Sequence, residues 1–90
     1  MMNLPEGWTL VVEPKVAKEA RRFPKRDREV VKEAIRVLPV NPHAGDIQKM
    51  KGEADSWRRR IGSYRIYYSI QARERIILVY HVERRTSTTY

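Results

Sequence analysis

The feature that most constrains this chain is a run of alternating residues on either side of a Gly-Ser pair, from Trp57 to Ile70. Tyr64, Ile66, Tyr68 and Ile70 are apolar or aromatic at every second position, and Arg65 falls between them. A period of two is the signature of a strand with one buried face, so Arg65 must point away from the face that carries the tyrosines and isoleucines. Before the pair, Trp57, Arg59 and Ile61 alternate with Arg58 and Arg60. Gly62-Ser63 is a tight connection, and the two arms read as a β-hairpin loaded with arginine. An arginine row on the uncovered face of a hairpin either meets solvent or forms a binding surface.

The flanking segments complete one small α+β domain over residues 1–90. Residues 75–83 include Ile76-Ile77-Leu78-Val79-Tyr80, apolar at consecutive positions, which predicts a central strand covered on both faces. Gln71-Ala72-Arg73-Glu74 is too short for a crossover, so the last three strands form an antiparallel meander. Upstream, Trp8 to Glu13 is β-prone and reads as an N-terminal strand that inserts into the sheet or pairs at an edge, in a position the residues leave open. Pro14 ends it and suits a first helical turn. Lys15 to Arg22 is a short amphipathic helix carrying Val16, Ala17 and Ala20, continued by Phe23. After Pro24, Lys25 to Leu38 is a second, with Val30, Val31, Ala34, Ile35 and Leu38 as its buried stripe. Asp27 and Glu29 suit its N-terminal end, and Pro39 and Pro42 stop it. The two helices are expected to form a hairpin packed on one face of the sheet. The loop from Pro39 to Asp55 contains an alternating piece, Ile47 to Lys51, that fits a short extended segment.

Charge narrows the function classes. The 90 residues carry 19 Lys and Arg against 11 Asp and Glu, a formal charge of +8, which favours a polyanionic partner such as RNA, DNA or an acidic protein. There is no cysteine, so disulfides, thiolate metal sites and cysteine nucleophiles are excluded. No apolar run approaches the ~20 residues of a membrane helix, and a cytoplasmic location is expected. Glycine-rich phosphate loops, zinc-protease helices and serine elbows are lacking, so no metal or cofactor is expected. His43 reads as a solvated loop residue and His81 as a packed or rim residue. What remains is a basic and aromatic set: Lys49, Lys51, Arg65, Arg84 and Tyr90, with Arg58, Arg60 and Arg85 nearby. Such a cluster grips phosphate and stabilises charge that develops on it, and a meander is expected to bring Arg65 and Arg84 onto one open face.

Lys49-Met50-Lys51-Gly52, the core from Arg60 through Gly62, Tyr64 and Arg65 to Tyr68, and Arg84 with Tyr90 together resemble the RelE/ParE toxin superfamily, in its RelE branch. The resemblance covers essentially the whole chain. It implies the toxin of a toxin–antitoxin pair, a metal-independent ribonuclease that cuts mRNA in the ribosomal A site by attack of the 2′-hydroxyl. It implies a cognate antitoxin, the ribosome with bound mRNA, and operator DNA bound by the toxin–antitoxin complex as partners, with no membrane. It also implies a catalytic set of Lys49, Lys51, Arg65, Arg84 and Tyr90, and leaves Arg58, Arg60 and Arg85 as secondary RNA contacts. Arg59, like Arg58 and Arg60, is expected to hold ribosomal RNA or the antitoxin. The subgroup that uses a C-terminal His-Tyr pair differs, since no histidine precedes Tyr90, and His81 is not assigned as a catalytic acid. The rival within the same fold is the ParE branch, which poisons DNA gyrase by protein binding; an inactive domain that binds nucleic acid or antitoxin is the third reading.

Overall fold

The computed structural model describes residues 8–43, 45–52 and 55–85. Its elements in chain order are β1 (Thr9–Val12), α1 (Pro14–Ala20), α2 (Lys25–Arg36), β2 (Asp46–Lys49), β3 (Ser56–Ile61), β4 (Tyr64–Gln71) and β5 (Ile76–Arg84). One sheet holds all five strands in the order β1-β5-β4-β3-β2. The strands from β2 to β5 are antiparallel neighbours, and the meander is as expected. The sheet is nevertheless mixed, because β1 runs parallel to β5 at the edge. A parallel return needs a long crossover, and the two helices and the rest of the sheet lie between β1 and β5 in the chain.

The helices cover one face. Pro14 occupies the first turn of α1, where its missing N–H costs nothing. Asp27 lies in the first turn of α2 and also accepts a hydrogen bond from the Tyr64 hydroxyl, which ties the helix start to β4. α1 lies against β5, and α2 faces β4. Val31, Ala34, Ile35 and Leu38 are buried, as the stripe requires, and meet Ile66, Tyr68, Ile77, Val79 and Val82 in one core. Val30 is 46% exposed, contrary to its place in that stripe. It sits one residue, hence about 100°, round the helix from Val31, off the line that positions 31, 34, 35 and 38 draw.

β5 departs from the sequence reading in a way that matters below. Only one of its faces is in the core, and Ile76, Leu78 and Tyr80 are half-buried on the other. Its register slips by one residue: Tyr68 pairs with Val79, but Tyr67 pairs with His81. Tyr80 is the extra residue of a β-bulge, which re-aims everything after it. Val79 and Val82 therefore both enter the core although they are three apart, and the apolar run needs no second covering layer.

Candidate nucleic-acid interface

Register places the cations. Tyr64, Ile66, Tyr68 and Ile70 of β4 are buried under the helices, so Arg65, Tyr67, Ser69 and Gln71 stand on the uncovered face. Cross-strand partners share a face, and two rows result. The first runs Asp46, Arg60, Arg65, Glu83 and the second Gln48, Arg58, Tyr67, His81, each crossing four strands. Three strand spacings make each row roughly 15 Å long. Arginine thus occupies three of the four central positions, and the carboxylates bracket the ends of one row.

Those arginines are held loosely. Arg60 forms an ion pair with Asp46 at 2.8 Å, with both side chains more than half exposed. A pair this exposed is worth about 0–1 kcal/mol, so a phosphate, which takes the same charge-assisted bonds from a guanidinium, displaces the carboxylate at small cost. Arg58 donates to the Gln48 side-chain oxygen. Arg65 stands in register with Glu83 and acts on it through its charge.

At the other end of the rows lies a polar cluster that the sequence reading did not assemble. His81 Nδ1 is 2.8 Å from Glu19 Oε2, and His81 Nε2 is 3.3 Å from Glu83 Oε1. The Tyr67 hydroxyl donates to Glu83 Oε2 at 2.9 Å. The Tyr67 ring lies 5.1 Å from the His81 ring and 6.4 Å from Tyr80. Burial pushes the Glu83 carboxyl upward, but the bonds from Tyr67 and His81 and the charges of His81 and Arg65 outweigh it and hold Glu83 below its ordinary value. A carboxylate depressed in the fold adds stability above its unfolded pKa and loses it as pH falls through the folded one. Glu83→Gln is therefore expected to flatten the acid limb of a stability–pH curve measured by urea unfolding, and to leave the neutral-to-alkaline limb unchanged in shape.

The remaining sequence-derived residues divide. Lys49 is on edge strand β2 in register with Trp57, and Lys51 is in the turn that follows. Both line a hollow of about 450 Å³ at the β2 edge together with Gln48, Met50 and Arg58, but the Trp57 register, which continues to the buried Tyr68, puts Lys49 on the helix side and not on the face of Arg58, Arg60 and Arg65. Arg84 does not share a face with Arg65. It registers with the buried Tyr64, and its guanidinium lies 5.8 Å from that ring, on the helix side. The cause is the bulge at Tyr80, which inverts the alternation and turns His81 and Glu83 to the open face and Arg84, still exposed, to the helix side. Arg85 continues the ladder by donating its N–H to the Ser63 carbonyl at 2.6 Å, and alternation returns it to the side of Arg65. Arg59 pairs with Ile66 on the helix side, and its guanidinium packs against Gly45, whose φ of +86° suits glycine. His43 sets its ring edge-on to Trp57, at 5.3 Å. Tyr90 lies outside the described residues. Among the described residues no group of three or more His, Cys, Asp or Glu is placed to hold a metal ion, and no helix is long and apolar enough to cross a membrane.

Comparison with known proteins agrees with this architecture. The sequence profile of the ParE toxin of the type II toxin–antitoxin system parDE matches residues 10–88. A protein of Methanocaldococcus jannaschii that carries the toxin name RelE1 is 31% identical over an alignment of 77 residues that covers 82% of this chain and 86% of that protein. Among solved structures, the RelE–RelB complex of Pyrococcus horikoshii superposes with a TM-score of 0.76 at 23% identity, over 90% of this chain and 98% of that one. The isolated Escherichia coli RelE toxin gives 0.74 at 19% identity, over 90% and 87%. With the profile spanning nearly the whole chain and a relative 31% identical over most of its length, this chain belongs to the RelE/ParE superfamily of type II toxin–antitoxin toxins, close to its RelE branch.

Proposed function

We propose that this protein is a ribosome-dependent endoribonuclease that cuts mRNA in the ribosomal A site, and that it is held inactive by a cognate antitoxin resembling the RelB proteins seen with its structural relatives. The observation that carries the reading is the uncovered sheet face on which Arg58, Arg60 and Arg65 lie in adjacent cross-strand positions. In the reaction the substrate supplies its own nucleophile. The 2′-oxygen bonds to phosphorus, the bond from phosphorus to the 5′-oxygen breaks, and a proton reaches that 5′-oxygen. A 2′,3′-cyclic phosphate and a 5′-hydroxyl result. The protein's task is to hold the phosphate and stabilise the charge that builds on its oxygens, which guanidinium groups carried side by side on a sheet do through charge-assisted, bidentate bonds. Dependence on the ribosome belongs to this reading: an open sheet face orients a flexible substrate weakly, and the ribosome supplies the orientation from which most of the effective concentration comes.

The set implied by the resemblance, Lys49, Lys51, Arg65, Arg84 and Tyr90, is tested by alanine substitution one position at a time, beside Arg58 and Arg60. The decisive experiment on the function itself is induction of the intact chain in cells, with primer extension on a translated message. Cuts in register with codons are the expected result. The ParE description of the matching profile favours a second reading, inhibition of DNA gyrase, and double-strand breaks with intact message would establish that reading in place of the first.

A further inference from the structure

We infer that Glu19 and His81 form a carboxylate–imidazole dyad, in which His81 Nε2 delivers the proton that the departing 5′-oxygen needs. The inference rests on the endoribonuclease reading and adds to it a group that neither the alternation pattern nor the resemblance assigned.

The geometry is that of an imidazole aimed for proton transfer. Glu19 belongs to α1, sixty-two positions before His81, and is fixed at both oxygens: Oε1 accepts from the Val82 backbone N–H at 3.0 Å and Oε2 contacts His81 Nδ1 at 2.8 Å. The Val82 N–H is available because β1 stops pairing at Val79, so the carboxylate takes the place of the missing edge strand. A carboxylate on Nδ1 sets the tautomer and the ring plane, and it stabilises the imidazolium. The opposite nitrogen is the one left for chemistry. Nε2 has a long contact, 3.3 Å to Glu83, and the side chain remains 33% exposed. A neutral imidazole carries only one N–H, so both carboxylates receive a hydrogen bond only when the ring is doubly protonated.

The dyad also stands in the right place. His81 is directly across from Tyr67 and diagonal to Arg65, a separation of about 7–8 Å between backbones that a phosphate held by Arg65 bridges. The Tyr67 ring lies 5.1 Å from it, with the Tyr80 ring 6.4 Å from Tyr67, and both offer flat surfaces for a base. The bulge at Tyr80 is what turns His81 to this face. In the step, the Nε2–H bond breaks, its proton goes to the 5′-oxygen as the phosphorus–oxygen bond opens, and the proton of the 2′-hydroxyl leaves to water. His81 is then a catalytic residue and Glu19 a positioning residue. The charged and titratable groups facing the ring are Glu19 with its neighbour Lys15 from α1, Glu83 from β5, and Tyr67 with Arg65 from β4; Tyr80 flanks it in β5.

The test is the pH–rate profile of message cleavage on programmed ribosomes by the intact chain and by His81→Ala, His81→Gln and Glu19→Gln, with folding checked by urea unfolding. Cleavage by His81→Ala is expected to fall about 10²–10⁴-fold and to recover on addition of imidazole. Glu19→Gln is expected to give a smaller loss, with the alkaline limb moved to lower pH. Folded His81 variants that cleave at the rate of the intact chain with the same alkaline limb would overturn the dyad and leave the endoribonuclease standing. So would a slow, folded His81→Ala that imidazole does not restore together with an unmoved limb in Glu19→Gln, since a purely structural clamp behaves that way. If the intact chain leaves ribosome-bound message uncut, the endoribonuclease reading falls and the dyad falls with it.

Discussion

Arg65→Ala will remove cleavage of ribosome-bound message, and with it growth arrest on induction, while leaving the fold in place. Arg65 stands on the face that no helix covers, and its neighbours across the sheet are Arg60 and Glu83. Its removal opens no cavity in the core, so stability should change by less than about 0.5 kcal/mol. The kinetic effect is of another size. A fixed donor aimed at a developing oxyanion is worth about 10²–10³ in rate, and toxicity needs many turnovers. Arg65→Lys keeps the charge but loses the planar fork, and should fall between the intact chain and the alanine variant. The measurement is primer extension paired with urea unfolding of the same variant. Full toxicity in an Arg65/Arg84 double alanine variant would remove both arginines from the site.

The largest effect on stability will come from Tyr68→Ala. Tyr68 is fully buried beneath the helices, and its hydroxyl donates to the Pro42 carbonyl at 2.6 Å, which pins the loop after α2 to the centre of the sheet. Removing a buried aromatic side chain costs about 3–5 kcal/mol, against a total of about 5–15 kcal/mol for a domain. The alanine variant should therefore be largely unfolded at modest urea, whereas Tyr68→Phe, which loses one hydrogen bond, should cost only about 0.5–1.5 kcal/mol. Burial pushes the phenol up from its usual 10.0 to about 12. A raised folded pKa means that this stability is complete below pH 10 and is lost as pH climbs through about 12. Tyr68→Phe should accordingly soften the alkaline unfolding of the chain. An alanine variant with an unchanged unfolding midpoint would mean that the core is not centred where the burial pattern puts it.

The two variants separate what the alternation of β4 combines in eight residues. Even-numbered positions hold the domain together, and Arg65 and Tyr67 stand on the opposite face. Because the side-chain period is two, a register slip of one residue would bury the arginine and expose the tyrosines. The hairpin's short Gly-Ser turn guards against that slip, since turn length sets register.

Much of this was legible in the residues. Alternation in β3 and β4 is a local steric property, and it assigned Arg58, Arg60 and Arg65 to the side opposite Tyr64, Ile66 and Tyr68 without reference to any other element. Helix stripes and proline stops are local as well, and they put α1 and α2 on one face of the sheet. Three matters were settled only by tertiary structure. The parallel pairing of β1 with β5 depends on edge hydrogen bonds between segments more than sixty residues apart, for which a single strand carries no signal. Glu19 reads as one of several solvated helix charges until α1 is docked and its carboxylate meets Val82 and His81. The bulge at Tyr80 is invisible in Leu78-Val79-Tyr80-His81-Val82, because apolar residues there satisfy either parity. Only packing of Val79 and Val82 together into the core chooses one. That choice turned Arg84 onto Tyr64 and brought His81 and Glu83 out beside Arg65. The sequence by itself determined which residues the hairpin presents; the packing of β5 decided which companions they meet.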